Sequence, residues 1–249
     1  MVAENQIYCE SNTETMSRLP DGSVDLIITS PPYNMRTRVR NGGYMEREKT
    51  KHFSNKYKHF HDAYPLDEFY SFHSSCIKEM LRVSKIVCYN IQIVTGSKEA
   101  FFKIIGEFSE YIKDIIIWDK GSGQPAMHEK ILNSSYELII IMESDRQKGR
   151  VINNAYFNRG EMSNIIRCGR DQKANADHGA VFPERLVRML IMAFSDVNAL
   201  VYDPFGGTGT VAVSAHNMKR RWILSEISEE YCAMAQSRIN QLSYQSKLF

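Results

Sequence analysis

The sequence predicts an α/β chain in which helices cover both faces of a mostly parallel sheet. Short runs rich in Ile and Val, at 24–29, 86–94 and 136–142, alternate with segments whose apolar residues recur at helical spacing. Two strand-like runs also end in turns shaped for a ligand, TSPPYN at 29–34 and DPFGGTGT at 203–210. In a doubly wound sheet the loops after parallel strands gather along one edge, so two such turns can share a cleft although they lie far apart in the chain.

At 249 residues the chain suits one main domain, and no repeat, low-complexity tract or Ser/Gly linker marks a boundary. Lys and Arg number 31 against 29 Asp and Glu, so net charge announces no polyanionic partner and any basic surface must be local. Cys9, Cys76, Cys88, Cys168 and Cys232 are odd in number and lack CxxC spacing. That argues against a disulfide framework or a zinc site and predicts buried thiols in a reducing compartment. No metal is expected. No apolar run approaches the roughly 18 residues of a membrane span, and no charged-then-apolar leader opens the chain, so the expectation is a soluble, cytoplasmic protein.

In order, 6–10 reads as a short strand ending in Glu10, followed by a helical turn to Leu19 and a Pro20-Asp21-Gly22 turn into the strand at 24. That strand must stop at Pro31-Pro32, because neither proline can donate a ladder hydrogen bond. The turn then displays the Ser30 hydroxyl, the carbonyls of the residues before each proline, and the flat face of Tyr33, a pocket for a planar group bearing an NH2. From 35 to 61 the chain turns basic: Arg36, Arg38, Arg40, Arg47, Lys49, Lys51, Lys56 and Lys58 are interleaved with Tyr44, Phe53, Tyr57 and Phe60. No period of 2 or 3.6 runs through it. Cations mixed with aromatics beside the turn read as a phosphate-tracking, base-contacting segment rather than a merely solvated loop.

A helix is expected over 66–83, a strand over 86–94, a helix over 100–108, and strands over 111–118 and 136–142. The polar stretches 119–135 and 143–176 are rich in Asn, Arg and Gly, the side chains that direct base readout needs. A helix is expected over 183–194 with Pro183 in its first turn, then a buried strand over 198–202. It runs into the glycine turn, where Gly206, Gly207 and Gly209 remove the Cβ atoms that would keep a ligand from the backbone. A helix over 211–218 follows, and then a strand over 222–227 carrying Glu226, placed to accept both hydroxyls of a ribose. Ser228 caps a last helix over 229–241.

Ser30-Pro31-Pro32-Tyr33 resembles the catalytic motif of DNA amino-methyltransferases, in which Asp, Asn or Ser precedes Pro-Pro and an aromatic residue. With the glycine turn late in the chain and the variable region between, the order resembles the β-group of that family, and the resemblance covers most of the sequence. It implies a Rossmann-like, doubly wound, mostly parallel seven-stranded sheet with a small inserted target-recognition region. The whole of 1–249 would be one methyltransferase domain, with a basic active-site loop at 35–63 and recognition segments within 119–176. The implied cofactor is S-adenosyl-L-methionine, held by Glu10, Phe182, Pro183, Asp203, Phe205, Gly206, Gly207, Gly209, Thr210, Glu226 and Ile227. Cys9 stands where the family usually has Gly, which weakens the match at Glu10.

Ser30, Pro31, Pro32 and Tyr33 are the implied catalytic residues, and Arg36, Arg38, Arg40, Lys49, Lys51, Lys56 and Lys58 the implied contacts to double-stranded DNA. The reaction expected is methylation of an exocyclic amino group on a flipped base. Ser before Pro-Pro leans toward N4 of cytosine, with N6 of adenine as the alternative. Methylation at carbon 5 of cytosine would need a nucleophilic cysteine, typically after proline, and there is no Pro-Cys pair. An RNA amino-methyltransferase and a non-catalytic DNA-binding subunit are the rival readings. A monomer or homodimer is expected, with a cognate restriction endonuclease as the possible cellular counterpart.

Overall fold

The structure, a computed structural model, describes residues 2–35, 37–40, 43–46, 64–124, 129–146, 148–169 and 182–245. Its strands are β1 (Gln6–Tyr8), β2 (Val24–Thr29), β3 (Thr37–Arg40), β4 (Gly43–Glu46), β5 (Ser84–Ile91), β6 (Ile112–Gln124), β7 (Ser134–Glu143), β8 (Ile165–Arg167), β9 (Leu200–Asp203) and β10 (Arg221–Ser225). The helices are α1 (Asn12–Ser17), α2 (Leu66–Val83), α3 (Lys98–Glu107), α4 (Glu184–Phe194), α5 (Thr210–Asn217) and α6 (Glu229–Gln245).

Eight strands form the main sheet, in the order β1-β10-β9-β2-β5-β7-β6-β8. From β1 to β5 every pairing is parallel; β7 is antiparallel to both β5 and β6, and β8 runs parallel to β6. The doubly wound, mostly parallel architecture is as expected, with eight strands in place of seven. The additional short strand β8 pairs Ile165–Arg167 with Ile117–Asp119 and was hidden in a polar stretch. Likewise β6 continues past Trp118 through Gly121 and Gly123, where its register against β7 shifts. The β3–β4 hairpin falls in the basic stretch read as irregular.

Among the described residues, each sheet face carries three helices. Leu26 and Ile28 of β2 pack with Leu186, Val187, Leu190 and Ile191 of α4, with α5, and with Ala235 and Ile239 of α6. Ile27 points the other way, toward Met16 of α1, Phe69, Ile77 and Met80 of α2, and Phe101 and Ile104 of α3. This alternation is the period-2 signature of a strand covered on both sides.

From β2 the chain winds through α2 to β5; from β9 it winds through α5 to β10, in the opposite direction. The adjacent β2 and β9, paired through Leu26↔Val201 and Ile27↔Tyr202, therefore form the topological switch point, and the crevice opens beyond their C-terminal ends. Of the five cysteines, four are buried as expected; Cys9 is exposed, because it leaves the end of edge strand β1. No helix among the described residues is long and apolar enough to cross a membrane.

Candidate active site

Beyond Thr29 the chain leaves the sheet through Ser30, with Pro31 and Pro32 buried and Tyr33 half-buried. The turn is locked at its far end by Asn34, which adopts a left-handed backbone (φ 59°) that Asn tolerates better than other non-glycine residues. Its side chain donates to the carbonyls of Tyr64 and Gly96, both at 2.9 Å, and accepts the Tyr64 N–H at 2.7 Å.

Behind the turn lies a polar network drawn from four neighbouring strands. Ser30 Oγ lies 2.5 Å from Tyr33 Oη. The Tyr33 hydroxyl donates to Glu137 Oε2 at 3.2 Å and accepts from Asn90 Nδ2 at 2.6 Å. Asn90 Nδ2 also donates to Glu137 Oε2 at 2.7 Å, and the second carboxylate oxygen accepts from Lys120 Nζ at 3.1 Å. The Lys120 and Glu137 side chains are only 2% and 8% exposed, so this is a buried ion pair completed by hydrogen bonds. Asn90, Lys120 and Glu137 lie outside the residues the sequence points to; Asn90 and Glu137 are polar residues inside apolar strands, the available signal, whereas Lys120 falls in the polar stretch 119–135.

The second half of the site follows β9. Asp203 is buried; its Oδ1 accepts the Thr29 hydroxyl at 2.8 Å and the Phe205 N–H at 3.1 Å. Burial pushes its carboxyl up to about 7, with the nearby Glu226 charge adding to the rise and the two hydrogen bonds opposing it. The glycines divide by role. A Cβ on Gly206 would lie 2.1 Å from Leu224 Cγ, and one on Gly209 (φ 84°) would lie 2.8 Å from Ala235 Cβ, so both are required by packing. Gly207 (φ 48°) has nothing within 4 Å of its Cβ position, which leaves open space above the turn.

Glu226 stands just past β10 and is tied to the turn. Its two oxygens accept the N–H groups of Gly207 at 2.8 Å and Ser228 at 2.9 Å. Ile227 is 44% exposed beside it. Ser228 caps α6 as expected, accepting the Tyr231 N–H at 3.4 Å. Thr210 starts α5, where its hydroxyl accepts from Arg238 at 3.2 Å. Phe205 meets Phe72 edge-on at 6.0 Å.

Phe182 packs against β6. Its ring lies 5.9 Å from Trp118, and the Lys120 ammonium lies 5.8 Å from the same indole. Pro183 is the N-cap of α4, one position before the first turn in which it was expected. Glu10 is engaged locally, accepting from Thr15 Oγ1 at 2.6 Å and pairing with Arg18. Arg38 and Arg40 lie in β3; Arg36, Lys49, Lys51, Lys56 and Lys58 lie outside the described residues. In the 143–176 stretch, Arg146, Arg150 and Arg167 are bound to Tyr111, Asp114 and Asp119 on the surface of β6 and its approach.

The family model described as "DNA methylase" (N6/N4 methyltransferase) matches residues 24–237. Among curated relatives, the type II methyltransferase M.BglII of Bacillus subtilis is 25% identical over 264 residues, covering 93% of this chain and 68% of its own length. The type II methyltransferase M.HpaI of Haemophilus parainfluenzae is 26% identical, with 95% and 74% covered. Among solved structures, the cytosine-N4-specific PvuII DNA methyltransferase superposes with a TM-score of 0.72 at 16% identity, covering 96% of this chain and 87% of that one, a likeness of fold.

Proposed function

Because the chain belongs to the DNA methylase family whose model spans residues 24–237, an S-adenosylmethionine-dependent enzyme family, we propose that it methylates the exocyclic N4 of cytosine in duplex DNA. One observation carries the reading: the hydrogen bond from Thr29 to Asp203 joins the Pro-Pro turn to the glycine turn at the switch point of the sheet. Acceptors for a target amino group and a cradle for a nucleoside thus face the same crevice.

The residues of the second turn suit the methyl donor. The open space above Gly207 admits a ligand against the backbone, and the Glu226 carboxylate beside the turn suits a ribose diol. Ile227 and Phe205 offer apolar surface for an adenine, and Glu10 retains acceptor capacity for its amino group. Phe182 and Pro183 would line the methionine side. When bound, the cofactor supplies a sulfonium methyl as electrophile; the rest is positioning by this chain.

The target nitrogen is a poor nucleophile because its lone pair is delocalised into the ring. Ser30 Oγ and the Pro31 carbonyl accept its two hydrogens, drawing the nitrogen toward a tetrahedral shape and freeing the lone pair for in-line attack. Extruding the base costs a few kcal/mol, and stacking on Tyr33 offsets about 1–3 kcal/mol of that. The hydroxyl tether of Tyr33 holds its ring in place beforehand. DNA is gripped by the basic segment 35–63 and read by segments within 119–176. Ser30 before Pro-Pro favours cytosine over adenine.

Incubation with labelled S-adenosylmethionine and mixed-sequence duplex DNA, followed by nucleoside mass spectrometry, tests this. N4-methylcytosine is expected. N6-methyladenine would overturn the choice of base and keep the mechanism; labelled RNA with unlabelled DNA would overturn the substrate.

A further inference from the structure

We infer that Glu137 is a positioning residue and the proton sink for methyl transfer, acting on the target amino group through Tyr33 and Ser30; the inference rests on the amino-methyltransferase reading above. The direction of the hydrogen bonds can be derived. A carboxylate only accepts, so the Tyr33 hydrogen is committed to Glu137 Oε2 at 3.2 Å. For the same reason the Asn90 amide must turn its NH2 toward Glu137 at 2.7 Å, which also makes Tyr33 Oη an acceptor at 2.6 Å. The 2.5 Å contact between Ser30 and Tyr33 must then be filled by the Ser30 hydrogen. Hydroxyl polarity therefore runs one way, from Ser30 to Tyr33 to Glu137. Asn90 Nδ2 approaches Ser30 Oγ only at 3.4 Å, so the serine oxygen keeps its accepting side for the substrate. A reversed polarity would aim a hydrogen at the incoming NH2.

Among the described residues, three elements face the Glu137 carboxylate: Lys120 from β6, Asn90 from β5 and Tyr33 from the turn after β2. Lys120 pairs with one oxygen of the Glu137 carboxylate in a buried position, and the other oxygen takes the tyrosine.

The same chain balances the reaction. As the nitrogen–methyl bond forms and the methyl–sulfur bond breaks, its electron pair leaving with sulfur, the amino nitrogen becomes cationic and must lose one of its two protons. That proton passes to Ser30 Oγ while the Ser30 hydrogen passes to Tyr33 Oη and the Tyr33 hydrogen to Glu137 Oε2. The products are a neutral methylamino base, a thioether and a protonated Glu137. A cationic nitrogen on an aromatic base is far more acidic than a carboxylic acid, so the transfer runs downhill.

Glu137→Gln preserves shape and an accepting oxygen but not the ability to take a proton. Its single-turnover methylation rate should fall about 10²–10³-fold, with cofactor affinity and DNA affinity close to wild type. Tyr33→Phe cuts the same chain, so Tyr33→Phe with Glu137→Gln should be no slower than the slower single variant, within about threefold. If Glu137→Gln strands Lys120 and does not fold, Lys120→Met combined with Glu137→Gln removes both charges and is measured in the same way. A Glu137→Gln rate within about threefold of wild type, or a double variant whose loss is the product of the two singles, overturns the inference and leaves the amino-methyltransferase reading intact. A wild-type protein that methylates neither cytosine nor adenine brings both down.

Discussion

The Thr29 hydroxyl donates to Asp203 Oδ1 at 2.8 Å across 174 residues of sequence, a bond between the last residue of β2 and the last residue of β9. Both groups are buried, so the bond is shielded from water and couples the positions of the two turns. Thr29→Val keeps the strand former and the volume while removing the donor. It should cost about 1–3 kcal/mol of stability, the range for a buried acceptor losing a partner, as read by urea unfolding.

Asp203 gives a pH signature. Its folded carboxyl sits at about 7, above the ordinary 3.8, so the folded state holds the extra proton. Its contribution to stability is complete below pH 4, falls as pH rises to 7, and is flat above. Asp203→Asn keeps an accepting Oδ1 and abolishes the titration. Relative to wild type, the variant should gain roughly 4 kcal/mol between pH 4 and pH 8. Unfolding midpoints across that range check this, and a constant difference would contradict it.

The glycines should separate by assay. Gly206→Ala and Gly209→Ala meet Leu224 and Ala235 and should lower stability by about 1–3 kcal/mol. Gly207→Ala enters open space, so apart from the modest strain of its φ of 48° it should fold, while its methyl group intrudes on the bound cofactor. Calorimetric titration with S-adenosylmethionine should show weakened binding in a protein of near-normal melting temperature.

Glu226→Ala removes the acceptor that ties Gly207 to Ser228 as well as the proposed ribose ligand. Hydrogen bonds to a charged group contribute about 1.5–3 kcal/mol each, so cofactor affinity should fall at least tenfold. Ser30→Ala, by contrast, should leave that affinity within about threefold and cut turnover about 10²–10³-fold. Equal losses of affinity in the two variants would refute this division of labour.

Local pattern made the helices and the parallel strands legible. The 66–83 helix was legible with the bounds it has because its apolar positions recur at helical spacing. Both turns were legible because Pro-Pro and a glycine cluster constrain the backbone wherever they occur. The network behind Ser30 was not, because it depends on strand adjacency. Asn90, Lys120 and Glu137 meet only once β5, β7 and β6 are laid side by side, and two of those pairings are antiparallel insertions into a parallel sheet. Sequence spacing carries no trace of that. β8 is three residues long and shows no alternation to read. For the β3–β4 hairpin a signal did exist: Asn41-Gly42, a favoured hairpin turn dipeptide, separates its strands.

The placement of β2 between β5 and β9 also governs the order in which the chain can fold. During synthesis, α2 and β5 emerge soon after β2 and can close one of its edges early. The other edge waits for β9, and edge strand β1 waits for β10. Until those late segments leave the ribosome, the nascent protein holds an apolar strand with unpaired backbone groups along one side. Non-local closure of this kind is slow and exposes aggregation-prone surface. The cleft can therefore form only after the last strands arrive, so a prematurely terminated chain would be a client for chaperones rather than a weak enzyme.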